Sequence, residues 1–142
     1  MAQAFVPMDP DTQLGYLLVR CGDQQARAWQ EALRAHGVNP RQFSMLASLA
    51  HDPGISQAEL ARRVMVTPQS MSESLTRLID DGLIARGSTE PGRPARLGLT
   101  EAGRRALERA YPVVSAHQEQ AFAALTADEK AELARVLGKL TR

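Results

Sequence analysis

The chain holds one cysteine, Cys21, in 142 residues. That excludes an internal disulfide framework and fits a reducing compartment. No run approaches the roughly 18 apolar residues that a membrane-spanning helix requires, and the N-terminus lacks the basic-then-apolar layout of a secretory signal. The expectation is a cytoplasmic protein with no membrane partner. Charge of one sign is lacking too: 17 basic and 16 acidic residues leave a net charge of +1, which decides nothing about partners. Lysine is nearly absent, Lys130 and Lys139 being the only two. Arginine is the better fork for phosphates and base edges, although genome composition produces the same bias. His36, His51 and His117 have no ligand spacing, so no metal is expected. No Ser-His-Asp, Cys-His or paired-carboxylate arrangement and no glycine-rich phosphate loop is legible, so neither a cofactor nor an enzyme is expected. Internal repeats and low-complexity tracts are also missing.

What is present is one domain's worth of chain with an ordinary 44% hydrophobic residues, enough for a real core. Residues 1–8 have no periodic pattern and read as a loose arm. Asp9-Pro10 has the grammar of a helix start. Leu14, Leu17, Leu18, Cys21, Ala28, Ala32 and Leu33 come next at helical spacing, up to a stop at Gly37. A second helix opens on Asn39-Pro40, with Gln42 completing a capping box. It carries an inner stripe of Phe43, Leu46, Leu49 and Ala50 and stops at "DPG". "SQAELARRV" is a short third helix with a capping box from Ser56 to Glu59.

"TPQSMSESLTRLIDDGL" repeats that grammar, with Thr67 as cap, Pro68 at the first position and Gly82 at the end. Met71, Leu75, Leu78 and Ile79 lie on one side of this fourth helix. Gln69, Glu73, Thr76 and Asp80 lie opposite, flanked by Ser70, Ser72 and Arg77. Then come Leu83–Arg86, a loop over 87–94 and the alternating run Ala95–Leu99, which together predict a β-hairpin. Thr100 caps a fifth helix with two apolar stripes. One runs Ala106, Ala110, Val113, His117, Ala121, Ala124; the other runs Leu107, Tyr111, Val114, Gln118, Phe122, Leu125. Two stripes predict burial on both sides, and Pro112 predicts a kink or a lost hydrogen bond to the Glu108 carbonyl. Thr126 to Glu129 is a further capping box, opening a final helix lined by Leu133, Val136, Leu137 and Leu140.

Two capped helices across a tight turn, the second with a polar outer face, followed by a hairpin, make a winged helix-turn-helix. A helix fits the major groove of DNA, and its polar face must carry side chains that reach base edges. The candidate DNA contacts are Gln57, Arg62, Thr67, Gln69, Ser70, Ser72, Glu73, Thr76, Arg77, Arg86, Arg93 and Arg96. Arg93 sits at the hairpin tip, where it can enter a narrow, electronegative minor groove. Arg63 reads either as a phosphate contact or as an exposed helix charge. Residues 56–100 hold six arginines against five carboxylates, so non-specific affinity for DNA should be modest.

Residues 39–104 resemble the MarR family of bacterial transcriptional regulators, on the strength of "SQAELARRVMVTPQSMSESLTRLIDDGLIAR" followed by "GRPARLGLTEAG", and the flanking helices match that family's layout. The resemblance implies a mainly α fold of six helices with a small β-hairpin wing, in an obligate-type homodimer. Residues 1–37 and 101–142 would form the dimerisation region, and 38–100 the DNA-binding domain. It implies a repressor role on a palindromic double-stranded operator, relieved by a small aromatic acid or phenolic effector. Tyr16, Arg20, Trp29, Met45 and Met71 are candidate walls for that effector. The wing departs from the family pattern, since Gly92 precedes Arg93 where an Asp normally braces the arginine; Glu90 is the only nearby substitute. Two other readings stay open. Cys21 could make the protein a thiol redox sensor, although its place on an apolar stripe fits a small core residue. The winged helix could also dock a protein rather than DNA.

Overall fold

A computed structural model describes residues 6–87 and 96–141. Six helices and one hairpin run in the order α1 Leu14–Arg34, α2 Pro40–His51, α3 Gln57–Arg63, α4 Pro68–Asp80, β1 Ile84–Arg86, β2 Leu97–Leu99, α5 Glu101–Ala121 and α6 Ala127–Leu140. The strands pair antiparallel, with Ile84 opposite Leu99 and Arg86 opposite Leu97.

The helix starts obey the cap grammar of the sequence, with two corrections. Asn39 with Gln42 and Thr126 with Glu129 form complete reciprocal capping boxes. Thr67 and Thr100 cap α4 and α5 through their hydroxyls. The box expected at Ser56 is only half made. The Ser56 hydroxyl accepts from the Glu59 N–H, but the Glu59 carboxylate is taken by Arg62. Helix α1 begins at Leu14 rather than at Pro10, because Asp9 spends its carbonyl and carboxylate closing a separate turn with Thr12 and Asp11.

Two helix ends show why the chain turns where it does. After α4, Gly82 takes a φ of 70°, its N–H donates to the Ile79 carbonyl and the Leu83 N–H donates to the Leu78 carbonyl. This double closure satisfies carbonyls that the helix end would leave orphaned. The same closure ends α3, with Met65 N–H on Arg62 and Val66 N–H on Ala61, but here a methionine holds the left-handed position at φ 54°. Its side chain is exposed, so the backbone strain brings no packing in return. Met65→Gly is expected to stabilise the fold by about 0.5 kcal/mol, relief of the left-handed penalty outweighing the entropy of glycine. Equilibrium urea unfolding measures it.

One core holds the helix-turn-helix together. Leu33, Met45, Leu46, Leu60, Met71, Leu75 and Leu78 are fully buried, with Phe43, Leu49, Ile84, Leu97, Ala106, Ala110 and Val114 around them. Trp29 packs edge-on against Phe43, whose ring also meets Tyr111. Ala50 is exposed rather than part of the buried α2 stripe: it follows Phe43 and Leu46 at i+7 and i+4 but lies in the last turn of the helix.

The terminal helices depart furthest from expectation. Within one chain α1 buries only Leu33, and α6 buries none of its residues. Leu14, Leu17, Leu18, Val136, Leu137 and Leu140 are exposed. Cys21 is exposed too, which corrects its reading as a core residue of this chain. Helix α5 buries Ala106, Leu107, Ala110 and Val114, while Tyr111, Gln118 and Ala124 of its predicted stripes stay outside. Pro112 lies inside α5 without ending it, on the exposed side. No helix among the described residues is long and apolar enough to cross a membrane.

Candidate nucleic-acid interface

Helix α4 is held from behind by Met71, Leu75 and Leu78, all without exposed surface. Its opposite face carries Gln69, Ser72, Glu73, Thr76 and Asp80, all exposed, with Ser70 half-buried on one flank. The side-chain oxygens of this face are held in defined directions. Thr67 accepts from the Ser70 N–H at 3.2 Å. Ser72 donates to the Pro68 carbonyl at 3.1 Å and accepts from Gln57 Nε2 at 3.1 Å, while Thr76 donates to the Ser72 carbonyl at 3.0 Å. Gln57, the first residue of α3, thus ties that helix to the middle of α4. The two helices meet as a pair whose outer edge is polar.

Arg62 is exposed and hydrogen-bonded to Glu59. That bond, reinforced by the guanidinium charge, holds the Glu59 carboxyl below the usual carboxylate range. Exposed pairs of this kind are weak, and Arg has donors to spare for a phosphate beside Glu59. Arg63 pairs with Asp52 at 3.4 Å. Arg86 on β1 and Arg96 before β2 are both exposed at the base of the hairpin, where the Arg96 carbonyl accepts from the Gly87 N–H at 2.7 Å. Arg93 and the brace expected of Glu90 fall outside the described residues.

Arg77 stands apart from the other α4 residues. It lines a polar concavity of about 430 Å³ between α1, the start of α2 and α4, and Arg41 lines the same concavity. Sequence reasoning alone does not single out Arg41. The available signal is its position, second in α2, where the positive end of the helix dipole disfavours a cation. Arg41 nevertheless brings a second guanidinium to the concavity that Arg77 lines.

The five residues expected as effector walls do not form one wall in a single chain. Met45 and Met71 are closed inside the core. Tyr16 and Trp29 are roughly 20 Å apart along α1, given the 1.5 Å rise per residue of a helix. Arg20 is exposed and paired with Asp11. Among the described residues, no group of three His, Cys, Asp or Glu side chains converges as a metal site would. His117 instead meets Gln25 of α1 at 3.1 Å.

A clasp at Thr100 joins the hairpin to α5. The Thr100 hydroxyl donates to the Gly82 carbonyl at 2.6 Å and accepts from the Gly103 N–H at 3.0 Å, while the Thr100 N–H donates to the Leu83 carbonyl at 3.1 Å. This accounts for the sequence "LTEAG". The threonine binds the end of α4 to the start of α5, and the glycine lets the two backbones touch.

Comparison with known proteins agrees with this geometry. The model of the MarR family matches residues 36–94. The HTH-type transcriptional repressor Rv2887 of Mycobacterium tuberculosis is 41% identical over 131 residues, covering 92% of this chain and 94% of its own length. Crystal structures of that mycobacterial protein superpose at 40% identity. Its complex with salicylic acid has a TM-score of 0.73, with 92% of this chain and 97% of that one covered. Its complex with DNA has a TM-score of 0.72, with coverage of 92% and 98%. A capped recognition helix with a bare polar face, a hairpin beside it, a threonine–glycine clasp behind it and this degree of likeness along nearly the whole chain lead to one conclusion: the chain belongs to the MarR family.

Proposed function

We propose that the protein is a homodimeric, DNA-binding transcriptional repressor of the cytoplasm, acting by binding rather than catalysis, whose hold on a palindromic operator is loosened by a small aromatic acid. The observation that carries the reading is the bare polar face of α4 in a chain 41% identical to a transcriptional repressor. The solved complexes of that relative with DNA and with salicylic acid support both halves of the proposal. In this reading residues 38–100 bind DNA, while 1–37 and 101–142 bring two copies together through the apolar sides that one chain leaves uncovered. Residues Thr67, Gln69, Ser70, Ser72, Glu73, Thr76 and Arg77 enter the major groove, and Gln57, Arg62, Arg86 and Arg96 approach the backbone. Arg93 is assigned to the minor groove. The effector acts by population shift: it prefers a dimer whose two α4 helices are wrongly spaced for the operator.

Fluorescence anisotropy on the duplex upstream of the protein's own gene tests this, with a scrambled duplex, a salt series and sodium salicylate as the effector probe. The wild type should bind its operator about 10³-fold more tightly than the scrambled duplex, the lower end for specific binders. Affinity should fall steeply with salt, drop in Arg93→Ala, and weaken as salicylate is added. Equal, weak binding to both duplexes, at every salt concentration, would sink the proposal.

A further inference from the structure

We infer that the middle of the recognition helix is an acceptor-only surface, so that Ser72, Glu73 and Thr76 read the exocyclic amino groups of adenine and cytosine. The inference rests on the proposed placement of α4 in the major groove. A hydroxyl carries one proton and two lone pairs, and reads either base donors or base acceptors if it is left to rotate. In this protein the proton is already committed. Ser72 donates to the Pro68 carbonyl and Thr76 to the Ser72 carbonyl, at 3.1 and 3.0 Å. Ser72 is also bonded to the Gln57 side-chain amide at 3.1 Å. Turning that amide over changes nothing, since its oxygen would then take the same serine proton. Either way the serine has only a lone pair to offer outward. Glu73, between them on the exposed face, is a carboxylate and accepts only.

Base edges divide along the same line. In the major groove adenine N6 and cytosine N4 are donors, whereas guanine N7 and O6 and thymine O4 are acceptors. Oxygen acceptors brought against guanine or thymine would leave both sides desolvated and unpaired, which costs more than a missing bond alone. Three neighbouring acceptors therefore select against those bases as well as for adenine and cytosine. They also explain how a face bearing Glu73 tolerates DNA, because in this placement its carboxylate meets an amino group.

The test uses the full-length dimer and a duplex selected by it from a random library. At each base of a half-site, adenine is replaced by purine and cytosine by pyrimidin-2-one, which removes the amino group alone. Loss of an amino group under the middle of α4 should weaken wild-type binding about 10-fold, a usual cost for one mismatched contact. The same loss should leave Ser72→Ala, Glu73→Ala or Thr76→Val nearly unchanged, each variant being blind to its own base. Glu73→Gln, which gains a donor and keeps an acceptor, should tolerate guanine or thymine at the position where wild type excludes them. Specific binding that is indifferent to every amino group, or whose contacts at these three residues fall on guanine or thymine, overturns the inference but leaves the repressor reading intact. No sequence-specific duplex emerging from the selection overturns both.

Discussion

Replacing Gly103 with alanine should cost the fold about 3 kcal/mol or more, beyond the usual range for a surface helix position. Gly103 lies at the start of α5, and a Cβ there would stand 2.0 Å from the Leu83 carbonyl oxygen and 3.0 Å from its carbon. Those are backbone atoms and cannot rotate aside. The same carbonyl accepts the Thr100 N–H, and Leu83 is itself pinned by the closure that ends α4. Relief would have to come from pulling α5 away from the hairpin and breaking the Thr100 bond to Gly82. Against a total stability of roughly 5–15 kcal/mol, that is a large fraction. Thr100→Ala, which removes the cap and that bond but adds no clash, should cost about 1–2 kcal/mol. Urea unfolding curves of the two variants test the order. A Gly103→Ala protein within about 0.5 kcal/mol of wild type, the level of an ordinary surface change, would show that the close approach is not required.

The second large effect concerns the apolar sides of α1 and α6. Leu18 and Leu137 are 45% and 37% exposed in one chain, and each sits among other uncovered apolar residues. Contiguous apolar surface of this kind marks an interface. Leu18→Asp combined with Leu137→Asp places four carboxylates in the proposed dimer contact, where unpaired charge is costly. Light scattering coupled to size exclusion should show a species of single-chain mass at micromolar concentration. Operator affinity should fall by about 100-fold or more, since two half-sites held by linked subunits gain roughly 10²–10⁴ over one. A variant that remains dimeric and binds the operator like wild type would remove α1 and α6 from the interface.

Much of this architecture can be read from residues three or four apart in the chain. Caps at Asn39, Ser56, Thr67, Thr100 and Thr126, the glycine after α4 and the alternation before Thr100 all act within one turn or one strand, so a linear reading finds them. The polar face of α4 comes from helical periodicity alone. Linear reading fails where a residue's partner lies far away or has a rival. Asp9 closes a turn of its own instead of capping α1. Glu59 prefers Arg62 to its capping role. Cys21 and the leucines of α1 have helical spacing that says they face something apolar, without saying whether it belongs to the same chain.

By itself, then, the sequence determined the order of elements, the recognition helix and its outward residues, because hydrogen-bond caps and 3.6-residue periodicity are local. Tertiary structure alone decided three other matters. It brought Arg41 across from Arg77, from separate helices, into one concavity. It set Gly103 against Leu83, turning a glycine in a helix start into a required contact. And it tied Gln57 to Ser72, fifteen residues on, so that a lone pair of that serine is taken up inside the protein. Each depends on the distance between backbones that are remote in sequence, and that distance is set only when the core closes.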